Sequence, residues 1–383
     1  MSSLSAEIEC VPGRLHQTAT RITFLISGIA LAAWAPLVPY AKARVDVGDG
    51  VFGLLLLCLG AGSILSMPLA GPMVSRAGYR RVIIPSALLG FAMLPLLASV
   101  SSLPWLIVAL FLFGGGIGAL DVAMNMQAIV VERASGRSLM SGFHGLFSLG
   151  AIIGAASMTG LLWLGVTPLM AASCVVGIVL IGLFLAAPGL LSDTGQQGGP
   201  VFAVPHGIVL VIGLVCFVSF LSEGAMLDWT AIFFVDHLDV DVSRAGLGFA
   251  AFSVTMTLGR LTGDRFVARF GGGRVVAAGG LVAACGIVLL TFAPNWLFGL
   301  LGCALVGAGC SNIVPVMFTR AGQQTAMPEH LAVPAVATLG YIGVLMGPAT
   351  IGFLSELMGL GMAFLALAGL LLAVSGASRF LQG

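Results

Sequence analysis

The chain has 383 residues, of which 59% are apolar and only 8% charged, with a mean hydropathy of +1.11. Soluble domains carry roughly a quarter charged residues, so sixteen Lys+Arg and fifteen Asp+Glu exclude a soluble enzyme. A net charge of +1 excludes the basic face of a nucleic-acid binder, and so large an apolar fraction excludes disorder.

A polytopic helical membrane protein remains. One span needs about 20 apolar residues, so twelve use about 240 to 270 and leave short connections. The first twenty residues are polar and lack a secretory hydrophobic region. The apolar run that starts at Ile22 has no small-residue cleavage site after it, so it is expected to stay as span one. Apolar runs fall at 22–41, 51–74, 82–101, 103–131, 139–163 and 168–190. After a polar break from Ser192 to Pro200 they resume at 206–235, 244–263, 275–294, 296–319, 331–355 and 360–378. Ser101, Ser102 and Pro104 mark a tight turn between the third and fourth. The expected organisation is an N-terminal tail at 1–21, a six-helix bundle at 22–190, a central loop at 191–205, a second bundle at 206–378 and a tail at 379–383. Six of the seven cysteines lie inside apolar runs and read as small buried hydrophobes. Metal and nucleotide motifs are not found, and no cofactor is expected.

With the N-terminus inside, Arg14, Arg21, Arg76, Arg80, Arg81, Arg133, Arg137, Arg265, Arg269, Arg274, Arg320 and Arg379 all fall on the cytoplasmic side. Lys42, Arg44 and Arg244 fall outside, and Arg260 lies within span eight. Twelve against three is a strong positive-inside signal, with both termini cytoplasmic.

A shift of 193 residues brings the two halves into register. Arg76-x-Gly78-x-x-Arg81-Val82 meets Arg269-x-Gly271-x-x-Arg274-Val275, Gly114-x-Gly116 meets Gly307-x-Gly309, and Gly150-x-x-x-Gly154 meets Gly343-x-x-x-Gly347. Two six-helix halves in parallel repetition suit a transporter whose site lies between them. The glycine faces of spans five and eleven are expected to let helices approach closely and to permit sliding between helices that contact the other half.

The loop after span two, from Gly71 through Ser75, Arg76 and Gly78 to Arg81, resembles the cytoplasmic signature of the major facilitator superfamily. The likeness implies twelve helices in two six-helix repeats and gate roles for Arg76, Gly78, Arg81, Arg269, Gly271 and Arg274. Ser75 stands where that signature has an aspartate that latches the inward gate, and Asp264 at the foot of span eight is a substitute. Within the superfamily, Gly118-Ala-Leu-Asp121-Val-Ala-Met-Asn125-Met-Gln127 and Phe143-His144-Gly145-Leu-Phe-Ser148 resemble the MosC/YbjJ-type group, a more distant relative of fucose–proton symporters. Glu223-Gly224-Ala-Met-Leu-Asp228-Trp229 fits the same group.

A charge at the bilayer centre costs at least ~2.5–3.5 kcal/mol. Asp121, Glu223 and Asp228 lie at such depths. Asn125 is one turn from Asp121 on the same face, whereas Gln127 is turned about 200° from Asn125. His144 enters from span five and Asn312 from span ten. Glu223 and Asp228 lie about 140° apart, so they share a wall only if the helix breaks at Gly224. Trp34 and Trp229 offer flat faces that suit sugars or polyols. Each residue also has a plain alternative: a hydroxyl or His144 as partner for Asp121, packing for His144, a wet vestibule for Asp228, interface anchoring for the tryptophans. Arg260, Asp264 and Arg265 are expected to form gate-region ion pairs.

The expected function is secondary transport of a small polar solute by alternating access in a bacterial inner membrane, by one chain. Proton symport is carried first by Asp121 and second by Glu223, with Asn125, His144, Trp229, Asn312, Asp228 and Trp34 as substrate contacts. A proton-driven exporter and a non-transporting sensor are the competing readings.

Overall fold

The computed structural model describes residues 12–46, 49–192, 204–241 and 246–381. Cys10, most of the central break and Arg244 lie outside these residues, as do the side chains of residues 49–54 and Pro348. Among the described residues every regular element is a helix. Chains this apolar have no other economical way to satisfy backbone N–H and C=O groups away from water.

The first six-helix set is α1 Arg14–Ala32 with its continuation α2 Val38–Val45, then α3 Asp49–Ala77, α4 Tyr79–Ser99, α5 Leu103–Ser135, α6 Met140–Trp163 and α7 Pro168–Ala186. The second is α8 Gly207–Leu238, α9 Leu247–Phe270, α10 Gly272–Thr291, α11 Trp296–Cys310 with its continuation α12 Ile313–Gln323, α13 Glu329–Met358 and α14 Leu360–Ala377. Eleven segments among the described residues are long and apolar enough to cross a membrane. α9 completes twelve; it is 24 residues long but less apolar, because it carries Arg260, Asp264, Arg265 and Arg269. The expected runs and the observed helices coincide closely, with two differences. Span one loosens at Trp34–Leu37, and span ten breaks at the polar pair Ser311–Asn312, just before Pro315.

The 193-residue repeat is built into the packing. A Cβ on Gly114 would strike the backbone of Leu59, and one on Gly307 the backbone of Phe252, the same pair one repeat later. Gly116 sits against Gly90 and Ser86, and Gly309 against Ala283 and Gly279, again in register. Gly78 and Gly271 both begin a helix with φ of 86° and 81°, a conformation open to glycine. Asp46 and Asp239, also in register, end α2 and α8 in the left-handed region.

The glycine faces of spans five and eleven do not meet the opposite half. Gly150 and Gly154 receive the backbone of α1, and Gly343 and Gly347 that of α8, so each face closes its own half. Contact between the halves runs instead along α3 against α13 and α6 against α9. The end of the bundle holding Arg76, Arg133, Arg269 and Arg320 is called the basic face below.

Candidate functional site

Two helices of the first half carry one polar chain into the centre. Asp121 and Asn125 stack on one face of α5, as their four-residue spacing requires. Asn125 Nδ2 donates to the Asp121 backbone oxygen at 2.9 Å and approaches its Oδ1 at 3.4 Å. His144 Nε2 on α6 meets Asn125 Oδ1 at 3.1 Å. The imidazole is buried between Phe24 and Phe318, with centroids 5.3 and 5.6 Å away. One turn along α6, the Ser148 hydroxyl accepts from Arg260 Nη1 at 2.8 Å across the interface between the halves.

Arg260 is the junction of the second half. Its Nη2 donates to Glu223 Oε1 at 2.9 Å, and its Nε to the Ser311 carbonyl at 3.3 Å. That carbonyl belongs to the break in span ten, where α11 ends and its dipole is negative. The guanidinium is thus held by a carboxylate, a helix end and a hydroxyl, and only 6% of the residue is exposed. It also lies within electrostatic reach of His144. Asp121 and Glu223 are half-buried, and no cationic side chain pairs with Asp121 among the described residues. Tyr341 on α13 lies within electrostatic reach of Asp121.

The structure brings Asp121, Asn125 and His144 into one hydrogen-bonded chain, and places Arg260 beside it in an ion pair with Glu223. α8 runs unbroken past Gly224, so Asp228 faces away from Glu223 and is exposed. Asn312 pins the broken span to α9, donating to the Gly259 carbonyl at 3.1 Å and the Ser311 hydroxyl at 2.9 Å; its Oδ1 is buried without a partner. Trp34 is buried in the apolar core, and Trp229 lies half-buried against Gly352. Gln127 turns away to Thr20 and the Leu191 amide, at 3.0 Å each.

At the basic face, Arg76, Arg81, Arg269 and Arg274 are exposed, and Arg269 packs over Phe270. Other groups join the halves there. Asp264 accepts from the amides of Ser141 and Gly142 at 2.9 and 3.0 Å, capping the start of α6 from the opposite half. Glu132 caps the same start through Leu139 and Met140 at 2.7 and 2.8 Å, and its other oxygen accepts from Thr319 at 2.6 Å. Arg133 pairs with Glu329 at 2.8 Å and also donates to the Gly322 carbonyl. Two cavities, of about 420 and 840 Å³, flank these links.

The sequence reading missed Ser148 and Tyr341 as site residues, and Glu132, Thr319 and Glu329 as ties at the gate. A signal existed for the first two: Ser148 and Tyr341 are one repeat apart, and each approaches a charged group of the opposite half.

Two six-helix repeats enclosing buried, hydrogen-bonded charges define a membrane transporter of small molecules. No family model matches the chain. It is 47% identical to an uncharacterised MFS-type transporter of Yersinia pestis over 96% of each chain. It is 32% identical to the membrane protein MosC of Rhizobium meliloti, over 96% of this chain and 91% of that one. The chain belongs to the major facilitator superfamily. Among solved structures, the fucose:proton symporter FucP in its outward conformation superposes with a TM-score of 0.81 at 19% identity, covering 97% of this chain and 100% of that one. The human organic anion transporter MFSD10 gives 0.79 at 15% identity, covering 95% and 99%.

Proposed function

We propose that the chain is a proton-coupled symporter of a small polar solute of sugar, polyol or amino-sugar character, with Asp121 as the group that takes up and releases the proton. One contrast carries this reading. Arg260 neutralises Glu223, whereas Asp121 has an amide beside it and, among the described residues, no cation. A lone carboxyl deprived of water needs either a proton or a bound cation. Asn125 and His144 extend its hydrogen bonds toward Ser148, so a solute hydroxyl bound among them would sense its state. The positive-inside pattern supports placing the basic face in the cytoplasm of a bacterium, and with it both ends of the bundle. The central network lies wholly between the halves of one chain, which supports function as a monomer. In this conformation the links from Asp264, Glu132 and Arg133 hold the basic face shut.

The test is transport in vesicles with an imposed pH gradient, using a solute found by thermal-shift screening against sugars, polyols and amino sugars. Asp121→Asn should retain solute exchange and lose proton-driven accumulation. Undiminished accumulation removes Asp121 from the coupling step. Counterflow in the same vesicles separates this reading from an exporter.

A further inference from the structure

Arg260 is the one buried guanidinium between the halves among the described residues, and the way it is held distinguishes it from a structural tie. Its Nε is anchored on the Ser311 carbonyl, at the negative end of α11, so its position does not depend on Glu223. Glu223 meets it through a single oxygen, Oε1. A carboxylate matching the guanidinium fork uses both oxygens, so the pairing falls short of what the site can offer. The Glu223 side chain is 22% exposed and that of Arg260 8%, so the carboxylate is the more accessible member of the pair. Ser148, from the other half, sits on Nη1 and has a hydroxyl proton of its own to offer a ligand.

We propose that Arg260 is the receptor for an anionic group on the transported solute, a carboxylate foremost, and that Glu223 is its internal stand-in. The proton enters on Glu223, whose neutral carboxyl releases Nη2; the solute carboxylate, still ionised, takes the vacated side of the fork. Charge balances throughout. The guanidinium exchanges one carboxylate for another, so that it is paired in both the empty and the loaded state, an unpaired buried cation being the expensive one. The solute class narrows from polar to acidic, as in a sugar acid. Because Ser148 and Arg260 come from different halves, such a ligand is bound only where the halves meet. The inference rests on the carrier reading above but not on Asp121 as the coupling group. The other titratable groups around Glu223 are Cys216 on its own helix and Cys310 on α11, with His144 on α6 beside Arg260.

The probe is acetate, the smallest carboxylate, read by thermal unfolding of the purified full chain in detergent at constant ionic strength. Glu223→Gln should gain a rise of several degrees with acetate at both pH 5.5 and pH 7.5. Wild type should show a larger rise at pH 5.5 than at pH 7.5, and Glu223→Gln/Arg260→Gln none at either. Glucuronate should then stabilise wild type at pH 5.5 more than glucose does. Lack of an acetate effect in both Glu223→Gln and wild type at pH 5.5 overturns the proposal, as does an effect that persists without Arg260. The wild-type arm keeps the test decisive if Glu223→Gln folds poorly. If acetate behaves as expected while Asp121→Asn still accumulates solute, the coupling role of Asp121 fails and the anion site stands. The reverse pair of results removes the anion site alone.

Discussion

Asp121 and Glu223 are both half-buried acids at the interface of the halves, and they differ in the company they keep. Glu223 has a guanidinium at 2.9 Å; Asp121 has the Asn125 amide. Removing one partner of a buried pair strands the other, which is why single substitutions in such pairs cost more than double ones. Arg260→Gln should therefore destabilise the protein by roughly 2–3 kcal/mol, less than a fully dry pair because solvent reaches Glu223. Glu223→Gln on that background should restore most of the loss, measured by thermal unfolding in detergent; a double variant no better than the single contradicts the pairing. The depth of both acids was legible in the sequence, since hydropathy places them in mid-span. Their partners were not, because Arg260 is 37 residues from Glu223 and 112 from Ser148, and only the packing of α6, α8 and α9 joins the three.

At the scale of the element, the start of α6 is bound by two acids, one from each half. Glu132 from its own half and Asp264 from the other together satisfy the amides of four consecutive residues, from Leu139 to Gly142, and each acid favours the positive end of the helix dipole. The superfamily signature led the sequence reading to look for an aspartate near Ser75, and Asp264 was put forward in its stead. One repeat back from Asp264 is Gly71, which packs on the His330 carbonyl and Pro334 of α13 without any charge. The charged tie between the halves thus lies at the α6–α9 contact, whereas Gly71 meets α13 by close approach. Asp264→Asn keeps the side chain's shape and drops its charge, weakening closure by about 1 kcal/mol, close to a factor of five in population. Ser138→Cys lines the adjacent cavity; its labelling by a polar thiol reagent from the basic face should quicken by a similar factor in the Asp264→Asn background. An unchanged rate places the latch elsewhere. The break in span ten has a local signal in Ser311-Asn312 and Pro315, whose missing N–H leaves the Ser311 carbonyl without its intrahelical donor. It is fixed by tertiary partners: Asn312 and the Gly259 carbonyl on one side, the guanidinium of Arg260 on the other.

For the whole molecule, the repeat is what made the fold legible. Two pairs of glycines that align at a spacing of 193, Gly114 with Gly307 and Gly116 with Gly309, have their Cβ positions filled by equivalent residues in each half. A Cβ on Gly116 would lie 2.5 Å from the Gly90 nitrogen, and one on Gly309 2.5 Å from the Ala283 nitrogen. Gly116→Ala and Gly309→Ala should thus lose similar stability, about 1–3 kcal/mol each, whereas Gly369→Ala meets nothing within 4 Å and should unfold like wild type. Markedly unequal losses at the two repeat-related positions contradict the structural equivalence of the halves. The sequence could not show how the halves meet, because contacts between α3 and α13, or α6 and α9, obey no local period. Direct proof of function is proton movement driven by solute. In lightly buffered vesicles with no imposed gradient, adding the transported solute outside should raise the external pH as protons enter with it. Asp121→Asn should abolish that rise while still exchanging labelled solute; an equal rise in wild type and Asp121→Asn contradicts proton coupling through Asp121.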